Sequence, residues 1–368
     1  MTGACAAQTR LSDLTRCFFN SFDESPFGGS DDFVKTEILS THTPALFAAA
    51  VKRAAELLQA GEIVALPTET VYGLAANAFD EKAIAKIFQI KGRPAHNPII
   101  VHVASVEMAK RCVRHWPVNA DRLAKAFWPG PLTLVLPRTE KIPDRVVAGG
   151  ATVGVRWPAH PLIQAVIREC GFPLAAPSAN LSSRVSPTNA EHVQQQLDGQ
   201  IPLIVDGGQS QVGIESAVLD LSVNPPQVLR PGMIHAESIA AVIGNIEHRT
   251  SNIERRTLRS PGLLQKHYSP KARLLVRSWR NDADLESQLV TRHLSPVTCY
   301  VIAHTHIPSA ENFARVSVIP HDAEAFARAL YAELHACDEA GAELIVVEAP
   351  PDLPEWSGIA DRLKRAAA

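Results

Sequence analysis

Short apolar runs set between amphipathic stretches give this chain its outline. Ile63-Val-Ala-Leu66 is uninterrupted and apolar, and reads as a buried strand. Before it, Leu46, Phe47, Ala50, Val51, Ala54, Leu57 and Leu58 recur at helical spacing, with Thr43 as cap, Pro44 in the first turn and Gly61 as stop. Asp80 opens a second helix that turns Ile84, Ile87 and Phe88 inward. A strand at Ile99–Val103 follows, then helical segments over 105–115 and 119–127. Phe127-Trp-Pro-Gly-Pro-Leu-Thr-Leu-Val-Leu136 is a turn feeding a strand. Strands at Thr152–Arg156 and Pro173–Pro177 flank a helix at His160–Cys170, and a helix capped within Ser186-Pro-Thr-Asn-Ala190 ends near Leu197. The strands Leu203–Asp206, Ser216–Leu221 and Gln227–Arg230 and a helix at Ala236–Ile243 complete the unit. Strands alternating with helices, then strands in succession, predict a mixed α/β sheet.

The pattern breaks over 246–272. Arg249, Arg255, Arg256, Arg259, Lys266 and Lys271 punctuate Ser260-Pro-Gly-Leu-Leu-Gln-Lys-His-Tyr-Ser-Pro270, a composition that reads as an exposed inter-domain linker. Beyond it, strands at Arg273–Val276, Val297–Ala303, Arg315–Val318 and Leu344–Glu348 alternate with helices over 284–293, 322–339 and 358–367. This predicts a smaller Rossmann-like α/β domain over 273–368. It has no Gly-x-Gly-x-x-Gly loop, so no nucleotide site is assigned to it. At the other end, Ser25-Pro-Phe-Gly-Gly-Ser-Asp-Asp32 is rich in breakers and the Phe18-Phe19 pair is isolated. Residues 1–40 are therefore expected to be a poorly ordered extension ahead of a main domain at 41–245. A translation start near Val34 is an alternative.

Composition adds bounds. A chain of 368 residues favours two domains, and 46% hydrophobic with 20% charged residues is an ordinary globular composition. A net charge of -2 weighs against a coat for non-specific nucleic-acid binding. No apolar run approaches the roughly 20 residues of a membrane span. Cys5, Cys17, Cys112, Cys170, Cys299 and Cys337 are scattered without a Cys-x-x-Cys pair, which fits reduced thiols and speaks against a zinc cluster or a disulfide framework. Met1-Thr-Gly-Ala-Cys-Ala-Ala lacks the layout of a signal peptide. A cytoplasmic protein is expected.

The candidate chemistry lies where strands spill into polar loops, the usual place for ligands in α/β folds. Pro67-Thr-Glu-Thr-Val-Tyr-Gly73 follows the first buried strand, and Lys91-Gly-Arg-Pro-Ala-His-Asn-Pro98 leads into the second. Cations on a stiffened loop beside hydroxyls and an amide suit an anionic substrate. A lone Lys-x-Arg would be read as solvated surface, and His102 alone as a core histidine. Further loops of the same kind hold Thr152/Arg156, Ser178/Asn180/Ser186, Glu215/Ser216 and Arg230. No phosphate loop, His-Glu-x-x-His or Gly-x-Ser-x-Gly motif occurs, and no nucleophile–base pair stands out. Such a set suits a reaction in which the protein positions two substrates and stabilises charge, as in phosphoryl or nucleotidyl transfer.

These motifs resemble those of the YrdC-like threonylcarbamoyl-AMP synthases. Besides the two loops above, Phe127-Trp-Pro-Gly-Pro-Leu-Thr133, Thr152-Val-Gly-Val-Arg-Trp-Pro158, Ala176-Pro-Ser-Ala-Asn180, Ser186-Pro-Thr188, Asp206-Gly-Gly208 and Leu229-Arg-Pro-Gly232 fall in that family's order, and Ser260-Pro-Gly with Lys266-His-Tyr-Ser-Pro270 looks like its linker. The resemblance implies a YrdC-like mixed twisted sheet with a C-terminal domain. It also implies synthesis of threonylcarbamoyl-AMP and pyrophosphate from L-threonine, bicarbonate and ATP, for the modification of tRNA. By position, Thr70, His102, Arg156 and Ser216 would hold threonine, with a backbone contact from Ala176. Arg93, Asn97, Thr152, Ser178, Ser186, Arg230 and Tyr268 would hold ATP. Lys91 and Arg93 would offset charge on the transferring group, and Mg2+ would accompany ATP through its phosphates. The linker around His267 and Tyr268 would close over the site as a lid. The implied partners are a tRNA threonylcarbamoyltransferase that receives the product, and a weak contact with RNA.

The chain departs from the family's pattern at Ala75, Ala217, Ser183 and Val185, none of which removes a charged ligand. Two other readings stand beside this one. A basic RNA-gripping module without catalysis is weakened by the near-neutral charge and sparse aromatics. The carbamoyl-adenylate chemistry of hydrogenase maturation would need zinc-binding and other modules for which the chain has no room.

Overall fold

The computed structural model describes residues 35–248, Gly262, 267–290 and 298–368. The predicted extension up to residue 34 and most of the basic linker lie outside the described residues. In chain order the first domain contains β1 (Glu37–Ser40), α1 (Pro44–Gln59), β2 (Val64–Leu66), β3 (Gly73–Asn77), α2 (Glu81–Lys91), β4 (Val101–His102), α3 (Val106–Lys110), α4 (Val118–Phe127), β5 (Leu132–Pro137), β6 (Thr152–Arg156), α5 (Pro161–Cys170), β7 (Leu174–Ala175), α6 (Ala190–Leu197), β8 (Leu203–Asp206), β9 (Ala217–Asp220), β10 (Gln227–Arg230), α7 (Ala236–Ile243) and β11 (Glu247–His248).

Local chemistry explains the element ends. The Thr43 side chain accepts from the Leu46 amide to cap α1, and the Asp80 carboxylate accepts from Lys82 and Ala83 to cap α2. Gly92, at φ +57°, ends α2 in the left-handed region. The predicted helix over 105–115 shortens to α3 because Val113 leaves it to bridge Arg138. The expected extension through residue 40 also requires correction. Glu37–Ser40 is β1, paired in parallel with β8 from Glu37 opposite Leu203 to Ser40 opposite Asp206. Its backbone pairing places it in the sheet although its side chains show no strong alternation.

The strands form one 11-stranded mixed sheet in the order β1-β8-β2-β3-β7-β4-β6-β5-β9-β10-β11. The pleat sends successive side chains to opposite faces. Val64 and Leu66 of β2 join Ala54 and Leu58 of α1 and Leu162 and Val166 of α5. The intervening Ala65 joins Ile84 and Ile87 of α2 in a separate core. Helices therefore cover both faces, as a buried sheet requires.

The second domain contains β12 (Arg273–Arg277), α8 (Asp282–Val290), β13 (Cys299–Ala303), β14 (Arg315–Val318), α9 (Ala323–Glu339), β15 (Leu344–Glu348) and α10 (Ser357–Ala366). Its 4-stranded sheet is parallel throughout, in the order β12-β15-β13-β14. Leu275, Val301 and Val346 face α8, while Ile302, Ile345 and Val347 face α9 and α10. That core is shared, because Val71, Val185 and Ile214 of the first domain and Tyr268 of the linker belong to it. Each such apolar side chain contributes about 1.5–3 kcal/mol when fully buried, so the two domains are held by a common hydrophobic cluster.

Beside that cluster His192 of α6 stacks on His335 of α9, with ring centroids 3.8 Å apart and planes within 17°. Burial pushes the His192 imidazole down to about 3, helped by its neighbour, and pushes His335 down as well. Around His335, the Ser186 carbonyl, Asp338 and Glu339 favour its charge and Lys271 opposes it. Because the folded state holds His192 neutral, its stabilising contribution is complete above pH 6.5 and is lost as pH falls towards 3. Stability should fall by about 1.4 kcal/mol per pH unit per such imidazole in this window. Urea unfolding at pH 7 and 5 should show this loss, and His192→Gln should flatten the slope.

Candidate active site

The strands of the first domain deliver their polar loops to one place. Leu66 ends β2 and the chain enters Pro67-Thr-Glu-Thr70, while β7 runs into Ala176-Pro-Ser178. In the parallel pair β4 and β6, His102 lies in register with Arg156. Ser216 immediately precedes β9, and Arg230 closes β10. Thr68, Thr70, Arg93, His102, Arg156, Ala176, Ser178, Glu215, Ser216, Arg230, Gly262, His267 and Tyr268 share one cavity.

Arg156 is buried, and its Nη1 donates to Thr70 Oγ1 at 2.9 Å while Nε donates to the Gly130 carbonyl at 3.2 Å. Its Nη2 lies 2.7 Å from Glu69 Oε1, an ion pair outside hydrogen-bond geometry. Thr68 and Thr70 hydroxyls are 2.9 Å apart, and Thr68 also donates to the Val71 carbonyl at 2.6 Å. On the other side, Arg230 donates from Nε to the Ser216 carbonyl at 3.0 Å and from Nη2 to Ser216 Oγ at 3.2 Å. Ser216 Oγ in turn sits 2.8 Å from Thr133 Oγ1. Arg93 is held by the Asn97 carbonyl at 3.1 Å and the Pro98 carbonyl at 2.6 Å. Burial lowers its guanidinium to about 10, which leaves it charged near neutrality.

Burial, then the Arg156 charge, push the His102 imidazole down to about 3, so it is neutral beside the guanidinium. Among the described residues its Nδ1 has no hydrogen-bond partner, and neither does either side-chain amide atom of buried Asn97. Buried polar atoms are nearly always paired. Those near this cavity are suited to a polar ligand.

The predicted set is not brought together as one surface. Of the residues expected to hold substrate, Lys91, Asn97, Thr152 and Ser186 do not line this cavity. Lys91 Nζ donates to the Ser178 carbonyl at 2.6 Å and to the Asn180 carbonyl, tying α2 to the Ala176–Asn180 loop. Burial and Arg93 hold its ammonium well below the ordinary lysine range. Thr152 faces a smaller cavity lined by Ile100, Thr133 and Val153. Ser186 stands behind the wall and donates to Glu215 Oε1 at 2.6 Å.

The compositional reading of an exposed linker fails at Gly262 and over residues 267–270, while Glu247 and Lys271 are exposed as that reading expects. His267, Tyr268 and Ser269 are buried, and Tyr268 is 1% exposed. Tyr268 takes φ +64°, rare for an aromatic residue, and is kept there by stacking on Tyr331 with centroids 6.0 Å apart. The Ser269 amide donates to the Ser183 carbonyl at 2.9 Å. Sequence reasoning also missed Glu69 as the ion-pair partner of Arg156. The only available signal was its position between two threonines. Nothing local marked Tyr331 or Arg362, which reach Glu215 from the second domain at 3.0 and 2.8 Å.

Known proteins resemble this chain over most of its length. A Sua5/YciO/YrdC family model described as "Telomere recombination" matches residues 56–232, and one described as "Threonylcarbamoyl-AMP synthase, C-terminal domain" matches residues 234–368. A threonylcarbamoyl-AMP synthase of Bacillus subtilis is 40% identical over 347 residues, covering 90% of this chain and 95% of that protein. One from Pyrococcus abyssi is 39% identical over 323 residues, covering 86% of this chain and 94% of the relative. The crystal structure of P. abyssi Sua5 complexed with L-threonine aligns with a TM-score of 0.83 at 37% identity, over 90% of this chain and 98% of that one. With both matched regions and near-complete coverage of these relatives, the chain belongs to the threonylcarbamoyl-AMP synthase family in its two-domain form.

Proposed function

We propose that this chain joins L-threonine, bicarbonate and ATP into threonylcarbamoyl-AMP, releasing pyrophosphate. The observation that carries the reading is the convergence of Arg93, Arg156 and Arg230 on one buried cavity lined by hydroxyls. A carboxylate and a polyphosphate are the ligands such a set suits. Arg156 takes the threonine carboxylate, since a guanidinium fork matches it. Thr70, neutral His102, Ser216 and the Ala176 backbone hold the rest of the amino acid. Arg93, Asn97, Thr152, Ser178, Ser186, Arg230 and Tyr268 hold ATP. Lys91 supports the phosphate side from behind the Ser178 loop.

Bicarbonate takes up a proton and loses water to become carbon dioxide. The threonine amine adds to it and releases a proton to give a carbamate, and a carbamate oxygen attacks the α-phosphorus while pyrophosphate leaves. A carbamate and its mixed anhydride are labile in water, so a buried site closed by the linker residues His267 and Tyr268 protects them. Mg2+ would travel with ATP on its phosphate oxygens, because Glu215, the carboxylate lining the cavity among the described residues, is engaged by Arg362, and Glu69 behind it by Arg156. The adenylate then passes to a tRNA threonylcarbamoyltransferase, with a weak RNA contact at transfer.

Pyrophosphate release should require both threonine and bicarbonate. Omitting each in turn tests this, and release without threonine would point to another carbamoyl acceptor. Arg156→Ala should raise the threonine requirement by about tenfold or more, the loss of a charge-assisted pair, with a smaller effect on ATP. Gly262→Ala probes the lid. A Cβ there would come within 2.4 Å of Tyr268 Oη and 2.9 Å of Arg230 Nη1, at a φ of +78°. Steady-state assays should show a raised KM for ATP and little change for threonine.

A further inference from the structure

The second domain sends two side chains into the wall of the active site. Glu215 is buried, and its Oε2 accepts from Tyr331 Oη of α9 at 3.0 Å and from Arg362 Nε of α10 at 2.8 Å. Arg362, 0% exposed, also donates from Nη2 to the Glu215 carbonyl at 3.0 Å, and from Nη1 to the Pro231 carbonyl at 3.1 Å and Asp361 Oδ2 at 2.8 Å. Its guanidinium carbon lies over the Tyr268 ring, 5.4 Å from the ring centre. One turn earlier, Gly358 rests against the loop after β10, where an added Cβ would come within 2.9 Å of Gly232 Cα. Backbone contact at that point sets how far Arg362 reaches.

This network has a direction. A carboxylate only accepts hydrogen bonds, so the Ser186 hydroxyl proton is committed to Glu215 Oε1. What Ser186 can offer a ligand is then its oxygen as an acceptor. Burial works against charge on Glu215, but Arg362 and Arg230 outweigh it and keep the carboxyl below its usual range. The carboxylate-binding end of the threonine half is braced by Glu69–Arg156–Thr70, and Ser216 by Thr133 as well as by Arg230, while Arg362 reaches no nearer to it than the Glu215 carbonyl.

We propose that Arg362 is a positioning residue for the nucleotide half of the site, acting through Glu215 on Ser186 and through its charge over the Tyr268 ring on the linker. The inference rests on the assignment above of Ser186, Arg230 and Tyr268 to ATP. It gives the second domain a part in substrate binding: its last helix keeps Ser186 an acceptor and seats Tyr268 beside Arg230, where Nη1 lies 3.5 Å from the tyrosine hydroxyl.

The test is equilibrium binding of ATP and of threonine, measured calorimetrically on the full chain, with melting temperature recorded alongside. Arg362→Gln should weaken ATP binding about tenfold, the scale of one hydrogen bond to a charged group, and leave threonine binding within about twofold. Arg362→Lys should recover part of the loss. Glu215→Gln with Arg362→Met removes both buried charges at similar volume, which folds more readily than one unpaired charge. This double variant should melt near the wild type yet still bind ATP weakly. The proposal is overturned by unchanged ATP affinity in folded Arg362→Gln, by wild-type ATP affinity in the double variant, or by equal losses of both ligands. A wild type that binds ATP but releases no pyrophosphate would overturn the synthase reading while the comparison of variants still decides this one. A wild type that binds no ATP would overturn both.

Discussion

Glu215 is a buried carboxylate that answers to both domains. It stands directly before Ser216 and β9, and it accepts from Ser186, Tyr331 and Arg362. A buried charge is tolerated only when paired and hydrogen-bonded, and taking away one partner leaves the other at high cost. The loop carrying Ser186, the start of β9, and helices α9 and α10 therefore move together or not at all. The shared apolar cluster brings these elements near one another, and the carboxylate fixes their register.

The same constraint shapes the cavity. Arg93, Arg156 and Arg230 are all buried there, and each has its N–H groups spread over carbonyls, hydroxyls or a carboxylate. Main-chain carbonyls solvate Arg93 and Arg230 without neutralising them, while Glu69 offsets part of the Arg156 charge, so the three cations together still favour an anion in the cavity. Such preorganised donors favour charge at fixed positions. His102 contributes by remaining neutral: a second cation beside Arg156 would be penalised by both burial and repulsion. Lys91 illustrates the other outcome, a cation spent on holding the Ser178 loop in place.

Much of this was legible along the chain. The caps at Thr43 and Asp80, the helices α5, α9 and α10 and the buried strand β2 follow from periodicity and end chemistry within a few residues. The loops bearing Thr70, Arg93, Arg156, Ser178 and Arg230 were recognisable from residue type at strand ends, and they meet at one cavity. Strand β1 was missed because its place comes from pairing with β8, about which its own four residues say little. Around His267 and Tyr268 the charges and breakers of the linker dominate the local composition and predict exposure, yet these residues are buried. Their burial depends on Tyr331, Arg230 and Arg362.

The sequence by itself determined the kinds of element, their order, and which loops carry cations, hydroxyls and amides, since these depend on neighbours a few residues away. Tertiary structure decided which of those groups face the cavity and which stand behind it. It also decided that Arg156 would meet Glu69 and that Glu215 would be held from the second domain. Glu215 and Arg362 are 147 residues apart, and Glu215 and Tyr331 are 116. No local period or spacing encodes pairings at such separations, because they arise only when two packed cores bring distant polar groups into the same desolvated space.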